Sequence, residues 1–168
     1  MKISMYQATV PTCVRALHSL LGILEKAMAH TEARKIDPAV LVNTRLFPDM
    51  LPLSMQVMIA SDTARQGAAR LASAEVPVYE GKSADFSDLI ANVRNAITYL
   101  EGLKAPQFEG SEDKTISWQT RSSTKTLQGL PYLMTHLLPN VYFHVTTAYN
   151  ILRHSGLEIG KKDYLGKA

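Results

Sequence analysis

The sequence predicts an all-α fold, a four-helix bundle with crossover connections that forms one domain over residues 1–168. The first observation is a helical spacing of apolar residues in four long segments, each of which keeps polar residues on its other faces. These predicted helices span residues 10–33, 52–73, 84–103 and 139–155. The second observation is that long segments separate the helices, which favours crossover connections over a simple series of hairpins.

The composition is that of an ordinary globular domain. Hydrophobic residues make up 46% of the chain and charged residues 20%, and the formal net charge is +3. The lysines and arginines are scattered, which argues against a nucleic-acid partner. No apolar run approaches the ~20 residues that a membrane-spanning helix needs. A single cysteine, Cys13, cannot form an internal disulfide, so we expect a cytoplasmic protein without membrane association.

The first helix is predicted from Val10 to Ala33. Thr9 can accept a hydrogen bond at the N-cap, and Pro11 suits the first turn, where a missing N–H costs little. Steps of three and four residues place one apolar face along this helix, formed by Val14, Leu17, Leu21, Leu24 and Met28.

The second helix is predicted from Pro52 to Ser73, and small residues on its apolar face indicate close approach to a neighbouring helix. Those small residues are Ala60, Ala64, Gly67 and Ala68. Gln56 shares that face, so it projects toward the bundle interior. A buried side-chain amide needs a hydrogen-bond partner, and His144 on the fourth helix is the natural one.

The third helix is predicted from Ala84 to Leu103, with Ser83 as its N-cap. Residues 104–129 then lose the helical spacing. Apolar and polar residues alternate weakly over Thr115–Gln119, and a second polar segment, Ser122–Gln128, follows. We expect a small β-hairpin or an irregular excursion here, which in a small helical domain is often a lid or an interface.

The last helix is predicted over residues 139–155. Pro139 suits the first helical position, and His144 lies mid-helix beside the apolar face. Residues 132–138 are also predicted to be helical, so Pro139 either kinks one helix or begins a new one. The tail, residues 157–168, is polar and basic and is expected to run across the surface.

Inward-projecting side chains on facing helices are the usual basis of ligand and metal sites in bundles. The candidates here are Gln56, Asn140 and His144, with His136 two helical turns before His144. Two histidines at i and i+4 on one helix can hold one zinc or nickel ion. The i−4 position of His144 is Asn140 and not a histidine. The nearest imidazole before His144 is that of His136, which is therefore the second metal-ligand candidate. The alternative is that these polar groups only satisfy one another's hydrogen bonds.

The loop before the second helix carries two further candidates, Asn43 and Arg45. Pro48 and Pro52, mixed with large apolar residues, predict an ordered loop that packs on the body. Polar side chains in such a loop most often hold its backbone through hydrogen bonds. Contact with a bound ligand is the second interpretation.

Three motifs are spread over the chain. They are Asn-x-Arg-Leu-x-Pro-Asp-Met at 43–50, Pro-Asn-x-Tyr-Phe-His-Val-Thr-Thr-Ala-Tyr-x-Ile-Leu-Arg-His-x-Gly at 139–156, and Gly-Lys-x-Asp-Tyr-Leu-Gly at 160–166. Together they resemble an uncharacterised bacterial family within the DinB/YfiT-like superfamily, which is associated with metal-dependent enzymes. The resemblance extends over nearly the whole chain.

The resemblance implies a four-helix bundle with crossover connections, often as a homodimer. In the wider superfamily three histidines, one from the second helix and two from the fourth, hold a divalent metal. Some members use that metal to activate a low-molecular-weight thiol. These positions fall on Gln56, Asn140 and His144, and only His144 keeps the ligand type. We therefore expect a non-catalytic or small-molecule-binding bundle with a degenerate metal site, which binds a small molecule or a partner. The alternative is a divalent-metal-dependent enzyme of the thiol-transferase type.

Overall fold

Four long helices form the body of the computed structural model, which describes residues 3–75, 78, 83–120 and 122–166. They are α1 (Met5–Arg34), α3 (Leu53–Leu71), α4 (Phe86–Gly102) and α6 (Leu138–His154). The described residues also contain three short α-helices, namely α2 (Pro38–Val42), α5 (Gly129–Tyr132) and α7 (Lys161–Leu165), and a 3₁₀ helix at Ala105–Phe108.

The packing of the long helices shows the crossover topology that the sequence predicts. α1 packs beside α4 and α6, and α3 also packs beside α4 and α6. Helices α1 and α3 therefore lie on one diagonal of the bundle, and α4 and α6 on the other. The connection from α1 to α3 joins two diagonally opposite helices, and so does the connection from α4 to α6. Helices α3 and α4 are neighbours. The apolar faces of all four helices meet in one hydrophobic core.

Helix α1 begins earlier than predicted. Ser4 caps it, because its Oγ accepts a hydrogen bond from the Gln7 N–H at 3.1 Å while the Gln7 side chain accepts from the Ser4 N–H. This reciprocal pair is a capping box, which satisfies two N–H groups at the helix start. The predicted cap, Thr9, is instead buried within the helix, and Pro11 is an internal residue. The predicted start at Val10 is therefore wrong.

The bounds of the next two long helices lie within a few residues of the prediction. Helix α4 is capped by Asp85, whose Oδ1 accepts from the Asp88 N–H at 2.9 Å, and not by the predicted Ser83. On α3, the predicted close approach is present. A Cβ at Gly67 would overlap the Leu137 side chain of the last helical region, so only glycine leaves room for that contact.

The segment between α4 and α6 contains the predicted hairpin. Strands β1 (Thr115–Gln119) and β2 (Thr124–Gln128) pair in antiparallel register, with Ile116 opposite Leu127. Ile116 and Trp118 point to the buried face of β1. The hairpin is thus anchored to the body through one face, as the weak alternation of β1 predicts.

Helical backbone continues from the hairpin through to α6. Helix α5 is followed by a π-helical turn, Leu133–Leu137, and α6 begins directly after it. Pro139 lies in the first turn of α6, where its missing N–H costs little. The sequence predicts either a kink or a new helix at Pro139. In the structure the π-helical turn changes to the α-helix α6 just before Pro139, with no loop between them.

The C-terminal tail is more ordered than predicted. After Gly156, which has a φ of +91°, the chain forms α7 and packs it against α1. Lys26 Nζ donates to Asp163 Oδ1 at 2.5 Å, and Arg15 donates twice to the Leu165 carbonyl. Residues 167 and 168 of the predicted tail lie outside the described residues. None of the described helices is long and apolar enough to cross a membrane.

Candidate functional site

The centre of the candidate site is a hydrogen bond between α3 and α6. His144 Nδ1 lies 2.7 Å from Gln56 Oε1, as the sequence predicts for these two residues. Gln56 is 2% exposed and His144 is 9% exposed. Because both groups are removed from water, each relies on the other for a hydrogen bond that it would otherwise lose.

A second hydrogen bond of Gln56 fixes the tautomer of His144. Gln56 Nε2 donates to the Leu51 carbonyl at 3.1 Å, and a carbonyl oxygen can only accept. The amide is therefore oriented with Oε1 toward His144, so Nδ1 of the imidazole carries the proton. Burial lowers the pKa of His144 below its ordinary value, which favours the neutral ring. A neutral ring with Nδ1–H has its lone pair on Nε2.

Apolar side chains lie beside this pair in space or in the chain. The Phe143 ring packs edge-on against the His144 ring, with centroids 5.1 Å apart, and Phe143 is 57% exposed. Leu51 and Met55, which precede Gln56 in the chain, are also exposed. An imidazole beside exposed apolar side chains can offer one hydrogen-bond acceptor to the polar end of a largely apolar molecule.

Asn140 and His136, which lie about one and two helical turns before His144, form a separate group. Asn140 Nδ2 donates to the His136 carbonyl at 2.5 Å and lies 3.4 Å from His136 Nδ1. The His136 ring stacks on Trp118 of the hairpin, with centroids 4.4 Å apart. Burial lowers the pKa of His136, and the nearby cations Lys125 and Arg70 lower it further. The structure therefore does not bring all the inward candidates together. It divides them into two hydrogen-bonded pairs.

The loop candidates are used for local structure. Asn43 Nδ2 donates to the Ala39 carbonyl at 2.9 Å, and Arg45 Nη1 donates to the Met50 carbonyl at 2.6 Å. Both side chains are exposed. This agrees with the first interpretation of their role, which is to hold the loop backbone. The loop reaches the site through Leu51, whose carbonyl orients Gln56.

The residues present do not match a divalent-metal site. The three superfamily ligand positions hold one imidazole and two amides, and both amides are engaged in hydrogen bonds. His136 and His144 are separated by eight residues, a rise of about 12 Å along a helix, whereas two ligands of one zinc each lie about 2 Å from it. No group of three or more His, Cys, Asp or Glu side chains within the described ranges is placed to hold a metal ion.

Two contacts at the site could not be assigned from the sequence. The Leu51 carbonyl depends on the path of a loop backbone, which residue types alone do not define. For the Trp118 contact the sequence contains one indication, because the apolar residues Ile116 and Trp118 share one face of β1, which predicts that this face is buried. What that face covers depends on where the hairpin folds back, and it covers Tyr132 and His136.

The bundle topology and the histidine-centred site define an α-helical protein of the DinB-like class. A family model described as a domain of unknown function, DUF1993, matches residues 5–165, and the chain belongs to that family. A crystal structure of a DinB family member protein from Shewanella denitrificans is similar, with a TM-score of 0.90 and 40% sequence identity. The similarity covers 98% of this chain and 93% of that one. No curated protein matches the sequence.

Proposed function

We propose that this DinB-like protein is a non-catalytic bundle that binds a small molecule at the degenerate metal position around His144. The observation that carries the proposal is the hydrogen bond from His144 Nδ1 to Gln56 Oε1. It leaves one imidazole nitrogen with a lone pair and commits the neighbouring amide to structure. The site therefore has a single positioned acceptor and no second strong base or nucleophile in this hydrogen-bonded group.

The ligand class follows from the residues around the pair. The Nε2 lone pair accepts one hydrogen bond, so a hydroxyl, amide or amine group on the ligand is the complementary polar end. Phe143, Leu51 and Met55 are exposed large apolar side chains that an apolar ligand body would cover. A neutral, mostly apolar molecule with one donor is the best match, because a charge would have no counter-charge among these residues.

A second candidate function is a divalent-metal-dependent enzyme of the thiol-transferase type. The observation in its favour is the tautomer of His144, since a metal-binding imidazole must be neutral and often donates its other N–H to a fixed acceptor. The Gln56 amide is such an acceptor. Against it stands the donor set, in which Gln56 and Asn140 take the place of two imidazoles. We rank this candidate second because of that donor set.

The first experiment is elemental analysis of untagged protein, followed by zinc and nickel titrations of wild type and His144→Ala. The proposal expects substoichiometric metal and weak, His144-independent binding of added ions. Near-stoichiometric metal in the wild type that is lost in His144→Ala would contradict it and favour the metalloenzyme.

The second experiment titrates a fragment library of apolar alcohols, amides and amines against ¹⁵N-labelled protein. Shifts centred on His144 and Phe143 support the proposal, and their absence across the library opposes it.

We also propose that the protein is a cytoplasmic homodimer. Support for the dimer comes from the apolar side chains that the segment before α3 exposes, of which Phe47 is 63% exposed and Val40 is 59% exposed. A second copy that covered them would remove this apolar area from water. The cytoplasmic location is supported by the single cysteine, Cys13, which is a buried free thiol. Light scattering should report about twice 18.6 kDa, and Phe47→Asp should lower that mass toward the monomer.

A further inference from the structure

A separate cavity of about 470 Å³ lies between α1, α6 and α7. Tyr142 and Val145 line it from α6, whereas His144 on the same helix faces Gln56 of α3. Neighbouring residues on a helix point about 100° apart, so α6 presents different side chains to its two neighbours. The volume lies within the range of small-molecule pockets, and the cavity is distinct from the Gln56–His144 pair.

Three residues in the lining of this cavity carry hydrogen-bond donors, namely Arg15, Tyr142 and Tyr164. Arg15 uses Nε and Nη2 to hold the Leu165 carbonyl, at 3.2 and 3.1 Å, which accounts for two of its five N–H donors. The Tyr164 hydroxyl accepts from Thr146 Oγ1 at 3.0 Å, so its own O–H is a donor for another group. Tyr142 is a third residue of this lining that carries a hydrogen-bond donor. Burial raises the pKa of Tyr142, which keeps its phenol protonated as a donor at neutral pH.

Arg15 is the charged residue in the lining of this cavity, and further charges line a neighbouring one. A larger cavity of about 1090 Å³ is also lined by Arg15, Ser19 and Leu165, and it adds Lys26 and Lys162. Asp163 also lines it, and its carboxylate is paired with Lys26 Nζ. The hydrogen bond from Lys26 lowers the pKa of Asp163, so this carboxylate is ionised and neutralised by its partner. Arg15 and Lys162 remain as the excess charge, which favours an anion.

Part of the lining of the smaller cavity is apolar. The apolar residues are Pro11 and Ala16 of α1, Val145 of α6 and Leu165 of α7. A highly charged ligand such as a phosphate would leave part of its charge against these walls, which is unfavourable. A ligand with one negative charge and an apolar body matches a lining that combines Arg15 with these apolar residues.

We propose that the cavity between α1, α6 and α7 binds a small organic monocarboxylate, with its carboxylate on Arg15, Tyr142 and Tyr164 and its apolar body against Ala16 and Val145. Arginine is suited to this role because its planar fork can donate two parallel N–H bonds to a carboxylate. Helix α7 forms one wall, so the site depends on the docking of the C-terminal segment through Lys26 and Asp163. This inference does not rest on the function proposed for the Gln56–His144 pair.

The test is a calorimetric titration of the full chain with 4-phenylbutyrate and hexanoate, and with 4-phenyl-1-butanol as the uncharged analogue. The expected result is saturable binding of at least one carboxylate, at least tenfold tighter than the alcohol. Arg15→Gln should weaken that binding at least tenfold, and Arg34→Gln should leave it unchanged. Arg34 is the matched control because it is an exposed arginine of the same helix.

A loss of α7 docking in Arg15→Gln would also weaken binding, so Tyr142→Phe provides an independent variant. It keeps the ring and removes only the hydroxyl, and a several-fold loss of carboxylate affinity with an unchanged melting temperature is expected. Equal binding of acid and alcohol would overturn the proposal. So would full affinity in both Arg15→Gln and Tyr142→Phe, or the absence of binding by both carboxylates.

Discussion

His144 Nδ1 and Gln56 Oε1 lie 2.7 Å apart and join α6 to α3 inside the bundle. The Gln56 amide also donates to the Leu51 carbonyl, so one side chain links the loop before α3 to the imidazole on α6. The superfamily resemblance implies a metal ligand at the position of Gln56. In this chain the same position supplies a hydrogen bond that orients the remaining histidine.

Removal of the imidazole should destabilise the protein. His144→Ala leaves the buried Gln56 Oε1 without its partner and opens a small cavity, and we expect a loss of about 1–3 kcal/mol in the free energy of unfolding. Chemical denaturation followed by circular dichroism measures this. His154→Ala, an exposed histidine at the end of the same helix, is the control and should cost less than about 0.5 kcal/mol. Equal midpoints for the two variants would argue against a stabilising hydrogen bond.

The tautomer of His144 can be observed directly. With Gln56 held by the Leu51 carbonyl, the neutral ring should carry its proton on Nδ1. Long-range ¹H–¹⁵N spectra at pH 7.5 should therefore show a protonated Nδ1 and an unprotonated Nε2. Gln56→Leu removes the acceptor and should shift the population toward the Nε2–H form, which is the usual one in water. A protonated Nε2 in the wild type would contradict the assigned orientation of the amide.

How far the sequence predicts this molecule depends on how local each signal is. Apolar spacing identifies the four long helices, and glutamine and histidine on facing helices predict the bond between them. The start of α1 was missed because Pro11 resembles a first-turn proline, whereas the capping box at Ser4 and Gln7 lies farther upstream. Helix α7 was missed because a five-residue helix has too few turns for a periodic pattern. Its position depends on contacts with α1.

The candidate site was predicted less completely than the fold. Spacing on an unbroken helix places Asn140 and His136 with His144, but the π-helical turn Leu133–Leu137 and the hairpin give His136 other partners. A ring that stacks on Trp118 belongs to a contact between distant parts of the chain. No local pattern in residues 136–144 contains that information.

His144, which is buried, and His136, which is half-buried, make stability depend on pH. Both His144 and His136 have pKa values lowered from the ordinary 6.5, chiefly by burial. As the pH falls below about 6.5, the unfolded chain therefore binds more protons than the folded protein. The free energy of unfolding decreases over this range, until the histidines of the folded protein are protonated as well. We expect the free energy of unfolding to fall between pH 7 and pH 5.

The variants that test this linkage replace the rings one at a time. His144→Gln and His136→Gln should each reduce the loss of stability between pH 7 and pH 5, because each removes one group that the unfolded state protonates more readily. His154→Ala is the matched control, because it removes an exposed ring of α6 and leaves His144 and His136 in place. A pH slope that is identical in all three variants would mean that the carboxyl groups, and not these two imidazoles, control it.

Two glycines in long helices should respond in opposite directions to the same substitution. A Cβ at Gly67 of α3 would overlap the Leu137 side chain, so Gly67→Ala forces the π-helical turn away from α3 and should cost about 1–3 kcal/mol. A Cβ at Gly22 of α1 meets nothing within 4 Å, so Gly22→Ala should gain about 0.5–1 kcal/mol from the better helix propensity of alanine. Because the chemical change is identical, the difference between the two variants isolates the packing cost. Urea denaturation of both proteins measures it. Stabilisation by both alanines would mean that Leu137 can adopt another rotamer without loss, and that close approach of α3 to this turn does not require glycine.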